Sequence, residues 1–196
     1  MHKIYDRIKL TVISTKRRKE EYTMKIIAQN ELEESTSSAK SKIDELYSKT
    51  DLKNANDIKR SHNYMQWIHK KTDIIINDPH FTCDKKDMLK RGTVVWIEFG
   101  FNIGNEFGGR HPAIILRKTA DSIFVVPLSS QKPDSPQKYH VKFEIVYGFK
   151  NMERWTNVLR LQNVSIQRID MTASIGNVKG TVLDAINDAL KISHIF

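Results

Sequence analysis

The sequence has very little cysteine and no long apolar run. Its 196 residues include one cysteine, Cys83, so no disulfide can form within the chain, and a reducing compartment is expected. No stretch approaches the roughly 20 consecutive apolar residues that a membrane helix needs, and the N-terminus lacks the apolar core of a signal peptide. We therefore expect a cytoplasmic protein that does not enter a membrane.

The few potential metal ligands are also poorly spaced. His62, His69, His80 and Cys83 match no closed zinc pattern, and the first two lie seven residues apart on a predicted helix, where a shared helical face explains them. The sequence predicts no metal and no cofactor.

The balance of charge favours anionic partners. Lys and Arg number 32 against 23 Asp and Glu, a formal net charge of +9, and 39% of the residues are hydrophobic. This content is enough for one core with a small second unit, and the basic excess places nucleic acid first among partners.

The first 89 residues form two predicted segments. Residues 1–23 are a basic tail ending in Lys16-Arg17-Arg18-Lys19, interpreted as an RNA-contacting arm or as a solvated tail ahead of an alternative start at Met24. Residues 24–89 are a helical extension, a predicted helix hairpin with Asp51 or Asn54 capping the second helix. Packing or dimerisation is its first expected role.

Residues 90–196 change from a helical to a strand-like pattern. Apolar and β-branched runs occupy residues 93–99, 113–116 and 123–128, and polar and apolar residues alternate from Tyr139 to Tyr147. Residues 158–169 supply one or two more strands, and residues 178–192 show helical spacing. Several short strands followed by one helix predict a small, partly closed barrel.

The stretch Gly104-Asn105-Glu106-Phe107-Gly108-Gly109-Arg110-His111-Pro112 lies between two predicted strands and carries an acid, a guanidinium and an imidazole. Cleavage of RNA through its 2′-hydroxyl needs proton transfer and positive charge at the phosphate, which histidine and arginine supply. A plain ion pair between Glu106 and Arg110 beside a surface histidine is the alternative.

Three blocks resemble the MazF/PemK toxins: Arg91-Gly92-Thr93-Val94-Val95-Trp96, then residues 104–116, then Val126-Pro127-Leu128-Ser129-Ser130. The resemblance implies an α+β fold, with an SH3-like β-barrel of the MazF/PemK/CcdB type and a C-terminal helix, here preceded by the helical extension. It also implies a homodimer that cleaves single-stranded RNA without a metal, leaving a 2′,3′-cyclic phosphate and a 5′-hydroxyl, and that binds a cognate antitoxin. An antitoxin-like attachment is then the alternative role of residues 24–89.

The resemblance also implies the site residues. Arg110, His111, Ser129 and Glu106 form the catalytic set, in which Ser129 holds the family's hydroxyl position and hydrogen-bonds the scissile phosphate. Contacts to RNA are expected from Phe107, Ser130, Lys132, Gln167 and Arg168, with Phe107 as a stacking platform for an unpaired base.

Two departures from the family pattern bear on activity. The family's arginine directly precedes the proline, whereas here His111 precedes Pro112 and Arg110 stands one residue earlier. Successive side chains of a strand point to opposite faces, so either His111 takes the catalytic place or the site is weakened. The family's Gln-x-Arg-Thr stretch falls near Ser165 and Gln167, which leaves the RNA contacts there open. A binding module without catalysis, for RNA or for a protein as in the gyrase poisons of the same fold, is the alternative function.

Overall fold

The computed structural model describes the backbone of residues 2–194 and the side chains of residues 23–194. By its internal contacts the chain divides into two compact units, Met1–His62 and Asn63–Phe196. The predicted basic run at Lys16 to Lys19 lies outside the side chains that are described, and its role stays a prediction. The predicted domain boundaries at residues 23 and 89 also stay predictions.

Two long helices precede the sheet. Helix α1 spans His2–Lys49 and helix α2 spans Ala55–Asn77. The side-chain oxygen of Asn54 accepts hydrogen bonds from the backbone amides of Asn56 and Asp57 at 3.0 and 3.3 Å. These bonds satisfy amides of the first turn that have no partner within the helix, so Asn54 is the cap of α2.

Seven strands and a third helix follow. They are β1 (Thr93–Gly100), β2 (Gly109–Lys118), β3 (Ser122–Ser129), β4 (His140–Phe143), β5 (Arg154–Asn157), β6 (Gln162–Ser165), β7 (Gly176–Asn177) and α3 (Gly180–Ile192). The sheet order is β4-β5-β3-β2-β1-β7, with β6 also beside β3, and all the pairs are antiparallel. The sheet curls into a half-barrel, so the predicted α+β barrel with a C-terminal helix is confirmed.

The two faces of the curled sheet carry separate apolar clusters. Alternate residues of a strand point to opposite faces, so Val94 and Ile114 pack with Ile186 and Leu190 of α3, while Val95 and its neighbours face the second cluster. The interiors of both clusters are fully buried. Burial of this apolar surface is the main force that holds β1, β2 and β3 in register.

The strand predicted from Tyr139 to Tyr147 ends early. Strand β4 stops at Phe143, and Ile145, expected on the buried face, is about half exposed. Beyond Phe143 the carbonyl of Glu144 accepts from the Arg154 guanidinium at 3.4 Å, and Tyr147 pairs with Asn177. The strand ladder with β5 therefore ends after Phe143, and Tyr147 pairs with Asn177 of β7 instead, which a two-residue alternation does not reveal.

Candidate active site

The loop between β1 and β2 is folded on itself. Its Asn102 side chain donates to the Phe107 carbonyl at 2.6 Å, and Glu106 accepts from the Ile103 amide at 3.2 Å. A Cβ on Gly108 would lie 2.6 Å from the Gly100 carbonyl, so only glycine allows this close approach. The carboxylate of Glu106 is thus turned to its own loop and lines neither cleft described below. Its predicted catalytic role stays a prediction.

Arg110 has two acidic partners, neither of which is Glu106. Its Nη2 atom lies 2.7 Å from the Asp170 carboxylate, its Nε atom lies 3.6 Å from Glu98, and the guanidinium stacks on Trp96 at 4.4 Å. Hydrogen bonds from Thr172 and then from Arg110 lower the pKa of Asp170 to about 2. The ion pair weighed from sequence is therefore corrected, since the partners of Arg110 come from elsewhere in the chain.

His111 lies on β2 opposite Ile97 and is half buried. Its ring lies 4.7 Å from that of Phe107. Burial lowers the pKa of His111, a hydrogen bond with the Leu128 backbone opposes this, and the positive charge of Arg160 lowers the pKa further. A histidine with a lowered pKa is neutral near pH 7 and can accept a proton.

The first cleft brings together four of the predicted residues. It has a volume of about 560 Å³ and is lined by Arg110, His111, Ser129 and Ser130 together with Gln131 and Arg154. Ser129 accepts a hydrogen bond from the Gln131 amide at 3.0 Å, a turn contact that leaves its own hydroxyl proton free to donate. A guanidinium, an imidazole and a hydroxyl thus share one cavity, and their catalytic role stays a prediction.

A second, smaller cleft of about 270 Å³ adjoins the first through Ser129 and Gln131. It is also lined by Phe107, Lys132, His140 and Arg160. The Arg160 guanidinium lies over the Phe107 ring at 5.1 Å and has no hydrogen bond or ion pair with any residue in the described part of the chain. It is a cation at the cleft, and the one acidic residue in the cleft lining, Asp134, forms no ion pair with it.

Sequence reasoning did not single out His140 and Arg160. Burial first and Arg160 second lower the pKa of His140, whose Nδ1 accepts from the Gln137 amide at 2.9 Å. His140 was visible only as a polar position of an alternating strand. Arg160 lies in a short 3-10 turn, Val158–Arg160, after β5, and no sequence pattern points to it.

Two residues predicted to contact RNA lie elsewhere. Arg168 donates to the Phe99 carbonyl at 3.1 Å and lies over the Trp67 ring at 5.1 Å, and burial lowers its pKa. Gln167 is hydrogen-bonded to Asp78. Neither residue lines the two clefts. Their RNA contact stays a prediction, as does base stacking by Phe107, whose ring already meets His111 and Arg160.

No group of three or more His, Cys, Asp or Glu residues in the described part of the chain is placed to hold a metal ion. Within residues 2–194, no helix combines the length and the apolar character that crossing a membrane requires.

The part of the chain that forms the half-barrel matches a known protein family. The model of the family described as PemK-like, MazF-like toxin of type II toxin–antitoxin system matches residues 90–194. Comparison with curated protein sequences found no match.

Among solved structures, MazF (Form-I) from Deinococcus radiodurans is 18% identical with a TM-score of 0.45, covering 55% of this chain and 96% of that one. An endoribonuclease in complex with its cognate antitoxin, from a mycobacterial species, is 16% identical with a TM-score of 0.40, covering 53% and 91%. Mycobacterium tuberculosis toxin MazF-mt6 is 13% identical with a TM-score of 0.41, covering 53% and 96%.

Proposed function

The chain belongs to the PemK-like, MazF-like toxins of type II toxin–antitoxin systems, and from this we propose that it is an endoribonuclease that cleaves single-stranded RNA without a metal. The observation that carries the proposal is the cleft in which Arg110, His111 and Ser129 meet. A binding module has no need of a neutral imidazole beside a hydroxyl and two guanidinium groups.

The positive charge of the two clefts suits a phosphodiester. During attack by the 2′-hydroxyl the phosphorus gains a fifth oxygen and its oxygens gain negative charge. Arginine offers several N–H donors in a planar fork that match phosphate oxygens. Arg160 forms no ion pair with any described residue, Asp134 of the same cleft included, whereas Arg110 is paired with both Asp170 and Glu98. We assign Arg160 to the phosphate together with Arg110.

Proton transfer falls to His111. Because its ring is hydrogen-bonded to the Leu128 backbone, one nitrogen is the donor and the other is left as an acceptor. That acceptor takes the proton of the 2′-hydroxyl, whose oxygen bonds to phosphorus while the bond to the 5′-oxygen breaks. The products are a 2′,3′-cyclic phosphate and a 5′-hydroxyl. Ser129 hydrogen-bonds the phosphate, and the ammonium of Lys132 in the second cleft is the candidate donor of a proton to the leaving oxygen.

A protein partner follows from the type of system. A type II toxin is held by a protein antitoxin, so we propose a cognate antitoxin as the partner of this chain. We also propose a homodimer and a cytoplasmic location, where its RNA substrate is found.

The experiment that tests the proposal compares cleavage and binding. Purified protein is incubated in EDTA with a mixed-sequence single-stranded RNA and with the same oligonucleotide in 2′-deoxy form, and product ends are read by mass spectrometry. We expect cyclic phosphate ends from RNA only, and loss of cleavage in His111→Gln. The matched control is His80→Gln, an exposed histidine outside both clefts. Intact RNA that is retarded in a gel would instead support the alternative of a binding module.

A further inference from the structure

One face of helix α2 lies along the end of strand β1. Tyr64, Trp67 and Lys70 are spaced by three residues, which places them on one side of a helix. Tyr64 meets Phe101 edge to face at 5.4 Å between ring centroids, and the Lys70 ammonium lies 2.6 Å from the Glu98 carboxylate. As the helix runs from Tyr64 to Lys70, its contacts move along the chain of β1 from Phe101 to Glu98, so the two elements run in opposite directions.

Trp67 fixes the position of the helix between these two contacts. A Cβ on Gly100 would lie 2.3 Å from the Trp67 ring, so the indole is seated directly against the backbone of β1. The Arg168 guanidinium lies over the same ring at 5.1 Å. Because Trp67 holds the helix against β1, Lys70, one turn further along, lies beside Glu98.

Lys70 and Arg110 share one carboxylate oxygen. Oε1 of Glu98 is 2.6 Å from Lys70 Nζ and 3.6 Å from Arg110 Nε, and the Glu98 side chain is only 16% exposed. On its other side Arg110 is bonded to Asp170 at 2.7 Å. The four groups form a row of alternating charge, Lys70, Glu98, Arg110 and Asp170, of which Arg110 lines the first cleft.

The row has a physical consequence for Arg110. A mostly buried carboxylate needs a close cation, and Lys70 supplies it at a shorter distance than Arg110 does. Without Lys70 the nearest cation to Glu98 is Arg110, which would be drawn from the cleft toward Glu98. The ammonium of α2 therefore leaves the guanidinium of Arg110 available to the cavity.

We propose that Lys70, contributed by helix α2 ahead of the toxin fold, is a positioning residue that neutralises Glu98 and so keeps Arg110 directed at the scissile phosphate. The role of the phosphate rests on the proposed function, whereas the effect of Lys70 on Arg110 does not. Part of the helical extension then belongs to the working site.

The test uses four variants of the full chain. Lys70→Met removes the ammonium, Lys70→Arg keeps the charge, and Lys70→Met combined with Glu98→Gln removes both charges. Lys71→Met is the control, because Lys71 is the next residue of α2, is exposed, and has no partner among the described side chains. Each variant is checked for a cooperative thermal transition before use.

Two measurements are made on each variant: kcat/KM for RNA cleavage and the NMR signal of the Arg110 Nε–H group, assigned with Arg110→Lys. We expect Lys70→Met to lower kcat/KM about tenfold and to shift the Arg110 signal, since one charged contact at a phosphate is affected. Lys70→Arg should restore both, the double variant should restore kcat/KM, and Lys71→Met should change neither.

The outcomes separate the two proposals. An unmoved Arg110 signal in Lys70→Met, or a shift that Lys70→Arg does not reverse, would overturn the positioning role. An inactive natural protein would overturn the endoribonuclease function, and the Arg110 signal would still decide the role of Lys70.

Discussion

The ring of Phe107 lies 4.7 Å from the ring of His111, so a residue of the β1–β2 loop covers one side of the imidazole. Phe107 in turn rests edge to face on Phe99 at 5.1 Å, which ties the loop to the buried end of β1. The loop therefore controls how much water reaches the histidine that we propose as the base.

Removing this cover should change the pH dependence of cleavage. In Phe107→Ala the imidazole is better solvated, so its pKa rises toward the ordinary value because burial is the main cause of the lowered pKa. A base must be neutral to act, so the acidic limb of the kcat/KM profile should move to higher pH. The control is Phe81→Ala, at an exposed position outside the clefts. If the acidic limb of the profile does not move, burial by Phe107 is not the cause of the lowered pKa of His111.

Arg160 should act on both histidines and on the phosphate. In Arg160→Gln the pKa of His111 and the pKa of His140 should both rise, because the guanidinium charge lowers each of them. Cleavage should fall by about a hundredfold, the usual loss when one charge-stabilising donor is removed. Histidine titration by NMR and single-turnover rates check the two effects.

Arg117→Gln serves as the control for Arg160, since Arg117 is exposed and has no hydrogen bond or ion pair in the described part of the chain. Unchanged histidine titrations with normal cleavage would show that Arg160 plays no part in the site.

How far the sequence predicted the site can be judged from single residues. His111 and Ser129 were predicted together because of the resemblance to the toxin family, and the pairing of β2 with β3 brings them to one cleft. Arg160 and His140 were missed because the register of β4 on β5 and a short turn bring them in. The positions of these two residues depend on tertiary packing, which a local sequence pattern does not predict.

The acidic partner of Arg110 shows the same limit. Glu106 is four residues away in sequence, yet its carboxylate turns to the Ile103 amide, and the carboxylates of Asp170 and Glu98 meet the guanidinium instead. The short separation in sequence favoured Glu106 as the partner. The antiparallel pairing of β1 with β2 instead places Glu98 directly opposite Arg110. A helix outside the barrel then adds Lys70, which no motif of the barrel predicts.

The ion pair of Asp170 should give a stability that disappears in acid. The pKa of Asp170 in the folded protein is about 2, below its ordinary value, so the contribution is present above about pH 4 and is lost as the pH falls through 2. At pH 7 we expect Asp170→Asn to lower the free energy of unfolding by about 1 kcal/mol, a modest value for a partly exposed pair. Urea denaturation at pH 7 and at pH 2 should show a difference between the two proteins that shrinks in acid. A difference of equal size at both pH values would contradict the assignment.

The packing of Trp67 against β1 can be tested by comparing the effects of alanine substitutions at two glycines. Gly100 and Gly104 both have positive φ angles, 91° and 59°, so alanine at either pays a backbone cost of about 1 kcal/mol. A Cβ at Gly104 meets nothing within 4 Å, whereas at Gly100 it would lie 2.3 Å from the Trp67 ring. Gly100→Ala should therefore lower the free energy of unfolding by about 2 kcal/mol more than Gly104→Ala, because the indole must leave its position.

In a Trp67→Ala background the two alanine substitutions should lower the free energy of unfolding by nearly the same amount, since the ring that distinguishes them is gone. Equal costs in the natural background would mean that α2 is not seated on β1 at Gly100, and Lys70 would then have no fixed path to Glu98.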